Sequence, residues 1–365
     1  MNRKKKIAVV IGAFTRHGGA ERMAVETCEY FKDQYEFHVI CREYENQIEG
    51  ITIHKVRRIN IPRSLKRIIF ALQVRSVVKK LDVDLVHTHE RIFEADIFNL
   101  HGTPPEHWAK EVLGRKRLNL FDLSCAYLDR KLINSSRCKV LLPVSRLVEE
   151  CYTRYYDLSQ KTIEVVHPTV SDEFVSPPPP LFDWREKLST PKDAKVVLFI
   201  ANNYEHKGLD LLMNAVQEVL KTQDLYLWVG GRGNIPKYEA KAKKMGISGF
   251  IRFVGMVKEN LPHLYRSADF FALPSKFDTF GIVVIEALAS GLPVIASKAT
   301  GSVCLKETKP FSSRIFVFKD DAMLFSSINN LLGEKLKLST GDIANKGIDN
   351  MRNKMKPLYS KTISS

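Results

Sequence analysis

Apolar residues along this chain fall into two alternating patterns. One is the continuous apolar run of four to nine residues, as in a parallel strand buried on both faces. KIAVVIGAF (5–13), FHVIC (37–41), ITIHKV (51–56), DLVHTH (84–89), the region around FNLHG (98–102), KVLLPVS (139–145) and TIEVVHP (162–168) have this character. The other is apolar spacing of three and four, as on a one-faced helix. Met23, Ala24, Thr27, Cys28 and Phe31 follow it, and a second helix is predicted over 62–81, with Pro62 at its first turn, where a missing N–H costs little. The alternation then restarts. KVVLFIAN (195–202), LYLWVGG (225–231), FIRFVG (250–255), DFFALPS (269–275) and LPVIAS (292–297) read as strands. Helices are predicted over 209–221, about 236–245, about 259–267 and 281–290. Strand–helix alternation repeated twice predicts an α/β protein with two doubly wound parallel sheets.

Four consecutive prolines, Pro177 to Pro180, separate the two series and act as an extended spacer. The expected organisation is a first domain over 1–175, a second over 176–345, and a tail, 346–365, whose helix crosses back to the first domain. Two such domains make a cleft, with chemistry on the loops outside the carboxyl ends of the strands. The 365 residues, 44% hydrophobic and 27% charged, exclude disorder, collagen and a small disulfide scaffold. No apolar run approaches the roughly 18–20 residues of a membrane-spanning helix. The start imitates a signal peptide, but its apolar stretch is short and meets Thr15-Arg16-His17-Gly18-Gly19 without a small-residue cleavage site. Six cysteines without a CxxC pair are expected to be reduced, packed thiols in the cytoplasm.

Charge changes the picture locally. Lys and Arg number 56 against 41 Asp and Glu, a net +15. Between Gly50 and Leu81 stand nine basic residues and no acidic one: Lys55, Arg57, Arg58, Arg63, Lys66, Arg67, Arg75, Lys79 and Lys80. On the predicted helix, Leu65, Ile68, Ile69, Leu72 and Val77 share a docking side and Arg63, Lys66, Arg67, Arg75 and Lys79 border it. Such a helix suits an anionic membrane surface, and a solvated basic face is the alternative. Nucleic acid is not expected as a partner, because aromatic residues are not interleaved with the basic ones.

The most informative segment for chemistry is PSKFDTFGIVVIEALASGLPVIAS, 274–297. Asp278 lies in a loop before a helix, and Glu286 follows inside that helix. Gly281 opens the helix, where free N–H groups and the dipole suit a phosphate. One carboxylate can accept from sugar hydroxyls and the other from a ribose diol. The alternative is an acid stabilising a helix end and a partly buried Glu.

This segment resembles the donor-sugar signature of retaining family-4 glycosyltransferases of the GT-B fold, with two Rossmann-like domains facing a cleft. Asp278 replaces the commoner Glu, as in the subset similar to lipopolysaccharide-core enzymes. Other stretches resemble the family in the same order. Gly18-Gly19 looks like its N-domain glycine loop, which as backbone permits close approach to a phosphate. His101 matches the histidine beside the transferred sugar. The segment 89–108 also looks like the lipopolysaccharide-type subgroup, and its His107 carries no assigned role. In Ala201–Gly208, Lys207 keeps the family lysine, suited to a diphosphate. Asn202 stands where the family has Arg, and His206 partly compensates if protonated. Met256 and Val257 resemble the turn that meets the base. Gly230-Gly231-Arg232-Gly233 resembles a structural turn.

The resemblance implies a transferase moving a sugar from a nucleotide-sugar donor, UDP-sugar favoured, to a glycan or lipid-linked acceptor in lipopolysaccharide-core-type biosynthesis, at the inner face of the cell membrane. Asp278, Lys207 and His101 would be catalytic. Gly18, Gly19, Asn202, His206, Lys207, Met256, Val257, Asp278, Thr279, Phe280, Gly281, Ile282 and Glu286 would bind substrate. No cofactor and no metal are expected, since Asp82-Val83-Asp84 matches D-x-D by letters but precedes a strand. A nucleotide-sugar epimerase on a similar architecture, a nucleic-acid-binding protein and a non-catalytic scaffold, which Asn202 favours, are the alternatives.

Overall fold

The computed structural model describes residues 3–45, 47–257, 259–308, 311–333 and 341–364. The chain divides into two compact units, residues 1–168 with 349–365, and residues 169–348.

In the first unit the strands are β1 (Lys5–Val10), β2 (Tyr35–Cys41), β3 (Ile51–Lys55), β4 (Leu85–Thr88), β5 (Ile97–Leu100), β6 (Val140–Pro143) and β7 (Thr162–Ile163). They form one parallel sheet in the order β3-β2-β1-β4-β5-β6-β7. The central strands are buried along nearly their whole length, which is why they read as continuous apolar runs. Helices α1 (Gly19–Phe31), α2 (Arg63–Leu81) and α3 (Leu120–Ile133) connect them. The expected strand 5–13 stops at Val10; Ala13–Phe14 pairs separately with Glu43–Tyr44. The strand expected over 162–168 ends at Ile163.

In the second unit β8 (Lys195–Asn202), β9 (Leu225–Arg232), β10 (Ile251–Gly255), β11 (Phe270–Leu273), β12 (Val294–Ser297) and β13 (Ile315–Phe318) are ordered β10-β9-β8-β11-β12-β13, again all parallel. Helices include α4 (Leu209–Val219), α5 (Ile235–Lys244), α6 (Leu261–Arg266), α7 (Ile282–Ala289) and α8 (Asp321–Gly333). Each sheet reverses its winding once, between β1 and β4 and between β8 and β11. Ligands of open α/β sheets sit at these switch points.

Helix α9 (Gly341–Ser364) ends in the first unit. Its Met351, Met355 and Tyr359 are buried against Cys28, Phe31 and Phe37 in the core beside α1 and the sheet.

Helix α2 departs from expectation in the face it docks. Phe70, Ala71 and Val74 are buried, whereas Leu65 and Leu72 are about half exposed, at 52% and 49%. Ile68, Ile69 and Val77 are half-buried. The helix packs on α3, and Arg63 and Arg67 stack over the Phe121 ring, 4.3 and 5.4 Å from its centre. Three cations of the acid-free stretch gain carboxylate partners through the fold: Arg58 lies 2.6 Å from Glu43, Arg67 bonds Glu90 at 2.8 Å, and Arg75 lies 3.7 Å from Glu94. All six cysteines are free, and burial pushes Cys41 up to about 11 and Cys138 up to about 12. No helix among the described residues is long and apolar enough to cross a membrane.

Candidate functional site

Two loops meet at the switch point of the second unit. The first leaves β8 and carries Asn202, His206 and Lys207. The second leaves β11 and runs through Asp278, Thr279 and Phe280 to Gly281, which caps α7. Gly208 lets them abut: its φ is 81°, and a Cβ there would run into the carbonyl oxygen of Pro274. Lys207 Nζ donates to Asp278 Oδ2 at 2.6 Å, with the two side chains only 20% and 15% exposed. Asp278 Oδ1 also accepts from the Phe280 amide at 3.3 Å. The loop is pinned by Asp278 N–H to the Ala299 carbonyl and by Gly301 N–H to the Asp278 carbonyl, both 2.9 Å. Gly281 has φ 80°, and a Cβ would lie 2.9 Å from the Thr300 methyl carbon. That glycine is therefore required by packing even without a ligand.

The Phe280 ring is buried, so only its backbone can face a ligand, and its amide is engaged by Asp278. Ile282 and Thr279 are half-buried. Glu286 is half-buried one turn into α7, with Oε2 accepting from the buried Tyr265 hydroxyl at 2.9 Å. Met256 and Val257 follow the edge strand β10, with Met256 52% exposed.

The second-cation role expected of His206 needs a protonated ring. Burial, with the Lys207 ammonium beside it, holds that ring below the ordinary histidine range and so opposes the role. The register supplies another candidate. Asn202 pairs with Arg232 at the carboxyl ends of β8 and β9, and register partners in a parallel sheet project to the same face. Arg232 is exposed and makes no side-chain ion pair among the described residues. In sequence, Gly230–Gly233 resembles a structural turn. The glycines are structural: a Cβ on Gly233 would strike the Tyr204 ring, and one on Gly231 the Ala201 carbonyl. The residue between them, Arg232, has a guanidinium without an ion pair among the described residues, and only the strand register gives it a place.

At the switch point of the first unit, Gly18 caps α1 and Gly19 begins it. The phosphate role expected there has two carboxylates among its neighbours. A Cβ on Gly12 would lie 2.7 Å from Glu90 Oε1, and one on Gly18 would strike the Glu21 carboxylate. Burial holds the Glu21 carboxyl above its usual range, and the Glu90 charge adds to this. Two carboxylates therefore stand near this turn, Glu90 already paired with Arg67, and carboxylates suit hydroxyl groups as acceptors. His101, just past β5, is half-buried and its Nε2 lies 2.8 Å from His89 Nδ1. Next to them, His87 bonds the Tyr359 hydroxyl through Nδ1 and Asn99 Oδ1 through Nε2, both at 2.7 Å. Burial pushes His87 down to about 4 and lowers His89 and His101 as well. His107 is buried against Cys151, Nε2 to Sγ 3.4 Å, inside the unit. Asp84 accepts from the Lys6 amide and the Lys5 ammonium at the amino end of β1, the sheet edge opposite these loops. No cluster of three metal-ligating side chains occurs among the described residues.

Comparison with known proteins agrees with this layout. Residues 17–174 match the family described as Glycosyltransferase Family 4, and residues 182–342 match Glycosyl transferases group 1. An uncharacterized glycosyltransferase of Methanocaldococcus jannaschii is 26% identical over 281 residues, 71% of this chain and 70% of that protein. A lipopolysaccharide core biosynthesis glycosyltransferase of Rhizobium meliloti, LpsE, is 35% identical over 121 residues, 32% of this chain and 34% of that protein. Against a D-inositol 3-phosphate glycosyltransferase of Corynebacterium aurimucosum the alignment spans 51% of the relative's length. Among solved structures, WaaG, a glycosyltransferase involved in lipopolysaccharide biosynthesis, superposes with a TM-score of 0.73 at 17% identity, covering 98% of this chain and 97% of that one. Anabaena HepE in complex with UDP-glucose gives 0.67 at 16% identity, covering 97% and 99%. At these identities the likeness is one of fold.

Proposed function

The chain belongs to the family-4 glycosyltransferases of the GT-B fold, and from that premise we propose that it transfers a sugar, with retention, from a nucleoside-diphosphate sugar to an acceptor of the lipopolysaccharide-core kind. The observation that carries the reading is the Lys207–Asp278 pair joining two loops at the switch point of the second unit. A cation beside a carboxylate there matches a donor with an anionic diphosphate and a hydroxyl-bearing sugar.

In this reading Lys207 and Arg232 face the diphosphate, and Arg232 supplies the charge that Asn202 lacks. Asp278 accepts from sugar hydroxyls. Glu286 accepts from the ribose diol. Met256 and Val257 wall the base. His101 lies by the transferred sugar. The acceptor hydroxyl attacks the anomeric carbon on the leaving-group face, the bond from that carbon to the phosphate oxygen breaks, and the acceptor proton passes to the departing phosphate. The protein's part is preorganised charge aimed at the leaving group, without an enzymic nucleophile or a metal. The carboxylates beside Gly18 and Gly19 suit hydroxyls of a glycan acceptor.

UDP is the favoured nucleotide, a choice supported by HepE, whose structures hold UDP and UDP-glucose. LpsE supports the lipopolysaccharide-core assignment by its name and its similarity. A place at an anionic membrane is supported by the exposed Leu65 and Leu72 on α2 among Lys66, Lys79 and Lys80, and by Leu120, Leu123 and Tyr127 exposed on α3. A thermal-shift panel of UDP, GDP and ADP with their sugars tests donor binding, since a ligand of the folded state raises Tm by mass action. Transfer in excess EDTA, with the product's anomeric configuration read by NMR, tests the rest. No stabilising nucleotide, an inverted product or loss of activity to EDTA would each count against it.

A further inference from the structure

Three histidines line the switch point of the first unit, and only His101 has been given a task. The neighbouring His89 is built into the site. Its backbone N–H donates to the Val10 carbonyl at 2.8 Å, which anchors it at the end of β1. Its ring stacks on that of His101, with centres 5.1 Å apart and planes 18° from parallel. On its other side lies His87, 4.7 Å away, which Tyr359 and Asn99 hold at both nitrogens. His89 is 6% exposed, and its Nε2 is buried with no hydrogen-bond partner among the described residues.

Those facts fix a proton. A neutral imidazole carries one hydrogen, on Nδ1 or on Nε2. If His89 carried it on Nε2, a buried N–H donor would be left unpaired, an arrangement that folded proteins avoid more strictly than an unused acceptor. With the hydrogen on Nδ1, it is donated to His101 Nε2 at 2.8 Å, and the unpaired atom is a bare lone pair. His101 Nε2 is then an acceptor, so the hydrogen of His101 sits on Nδ1, which bonds no protein group among the described residues.

We propose that His89 is a positioning residue that holds His101 in its Nδ1–H tautomer, so that His101 offers an N–H donor to an oxygen of the transferred sugar. The proposal rests on the reading of His101 as the sugar-side histidine. It adds a direction: the sugar oxygen at this point accepts, and a donor lacking that oxygen loses the contact.

The tautomer can be read directly. In the full chain labelled with ring-15N histidine, one- and two-bond 1H–15N correlations distinguish a protonated ring nitrogen from a bare one. Signals are assigned by their loss in His89→Asn and His101→Ala. The expected pattern is a protonated Nδ1 and a bare Nε2 for His101; the reverse pattern overturns the proposal. Kinetics give a second readout. His89→Leu removes the donor and is expected to lower kcat about 10–100-fold, the scale of one positioned hydrogen bond, while KM for the donor changes less than about threefold. Asn places an amide N–H near the position of Nδ1, so His89→Asn should recover most of the lost kcat. Unchanged UDP binding and CD melting show that the Leu variant is folded. Equal losses in the Leu and Asn variants count against the positioning role. A fully active His101→Ala would instead remove the reading of His101 itself, whatever the spectrum shows.

Discussion

Replacing Asp278 by Asn should move nucleotide binding and sugar transfer in opposite directions. The 2.6 Å contact between Lys207 and Asp278 corresponds to a gross attraction of about 6 kcal/mol at an effective dielectric near 20. Desolvation of both ions offsets most of it, and with side chains 20% and 15% exposed a net value on the order of 1–2 kcal/mol is reasonable. A diphosphate arriving at Lys207 competes with that carboxylate and is repelled by it. Asn keeps the shape and the acceptor for the Phe280 amide but removes the competing charge. UDP alone should therefore bind about fivefold more tightly, the equivalent of roughly 1 kcal/mol. The nucleotide sugar loses charge-assisted hydrogen bonds to its hydroxyls, and kcat/KM should fall about 10–100-fold. Isothermal titration with UDP, alongside the transfer rate of the same preparation, decides. A melting temperature lower by a few degrees would be the ordinary cost of the lost pair in a unit of this size. UDP affinity that falls in parallel with transfer would refute the reasoning, because Asp278 would then be supporting phosphate binding rather than opposing it.

Glu286→Ala should lower kcat/KM by about 2–4 kcal/mol through lost ribose hydrogen bonds, with the Tyr265 hydroxyl left unpaired as a smaller stability loss; near-normal transfer removes Glu286 from the site. Arg232→Ala should weaken UDP binding about tenfold at low salt and less at high salt, while Arg232→Lys retains part of it; an Ala variant that binds like the parent leaves Lys207 as the phosphate cation. His87 is held neutral in the fold, so below its ordinary pKa of about 6.5 the unfolded chain takes up protons that the folded one refuses, and stability falls as pH drops from there toward about 4, by roughly 3 kcal/mol for this group alone. Chemical denaturation at pH 7, 5.5 and 4.5 should show that slope reduced in His87→Gln, and an unchanged slope would assign the acid sensitivity elsewhere. Co-sedimentation with vesicles should require anionic lipid and weaken when Lys66, Lys79 and Lys80 become Ser; equal binding to neutral vesicles would separate the basic helix from any electrostatic role.

The strands were legible because parallel strands covered on both faces must be apolar throughout, and β1, β8 and β11 show that run with little interruption. The segment 274–297 was legible because a loop acid, a capping glycine and an acid one turn into a helix each need a particular residue type. Helix α2 misled because it carries two interleaved apolar stripes at helical spacing. Leu65, Ile68 and Leu72 form one, and Phe70, Ala71 and Val74 form the other. Periodicity cannot say which stripe the rest of the fold covers, and it is the second that is buried. Arg232 was hidden for a related reason: its position beside Asn202 is a property of strand register. The stacking of His89 on His101 joins residues that follow two different strands, and neither alternation nor spacing encodes it. The approach of Glu90 to Gly12 from the end of β4 is likewise a tertiary fact, whereas Glu21 is a sequence neighbour of Gly18.

The return of α9 to the first unit has a consequence for how the protein is made. Residues 1–168 emerge from the ribosome first, but Met351, Met355 and Tyr359, which complete their core, come only after the whole of residues 169–348. At roughly 5–20 residues per second, the first-synthesised unit waits about 10–40 s with an apolar face uncovered beside Cys28 and Phe31. The second unit, contiguous in sequence, meets no such delay. Chain order and folding order are therefore inverted: the unit made first is the one completed last. The uncovered interval is when aggregation or chaperone capture competes with folding, and a ribosome stalled before Met351 would leave a nascent chain with a closed second unit and an open first one.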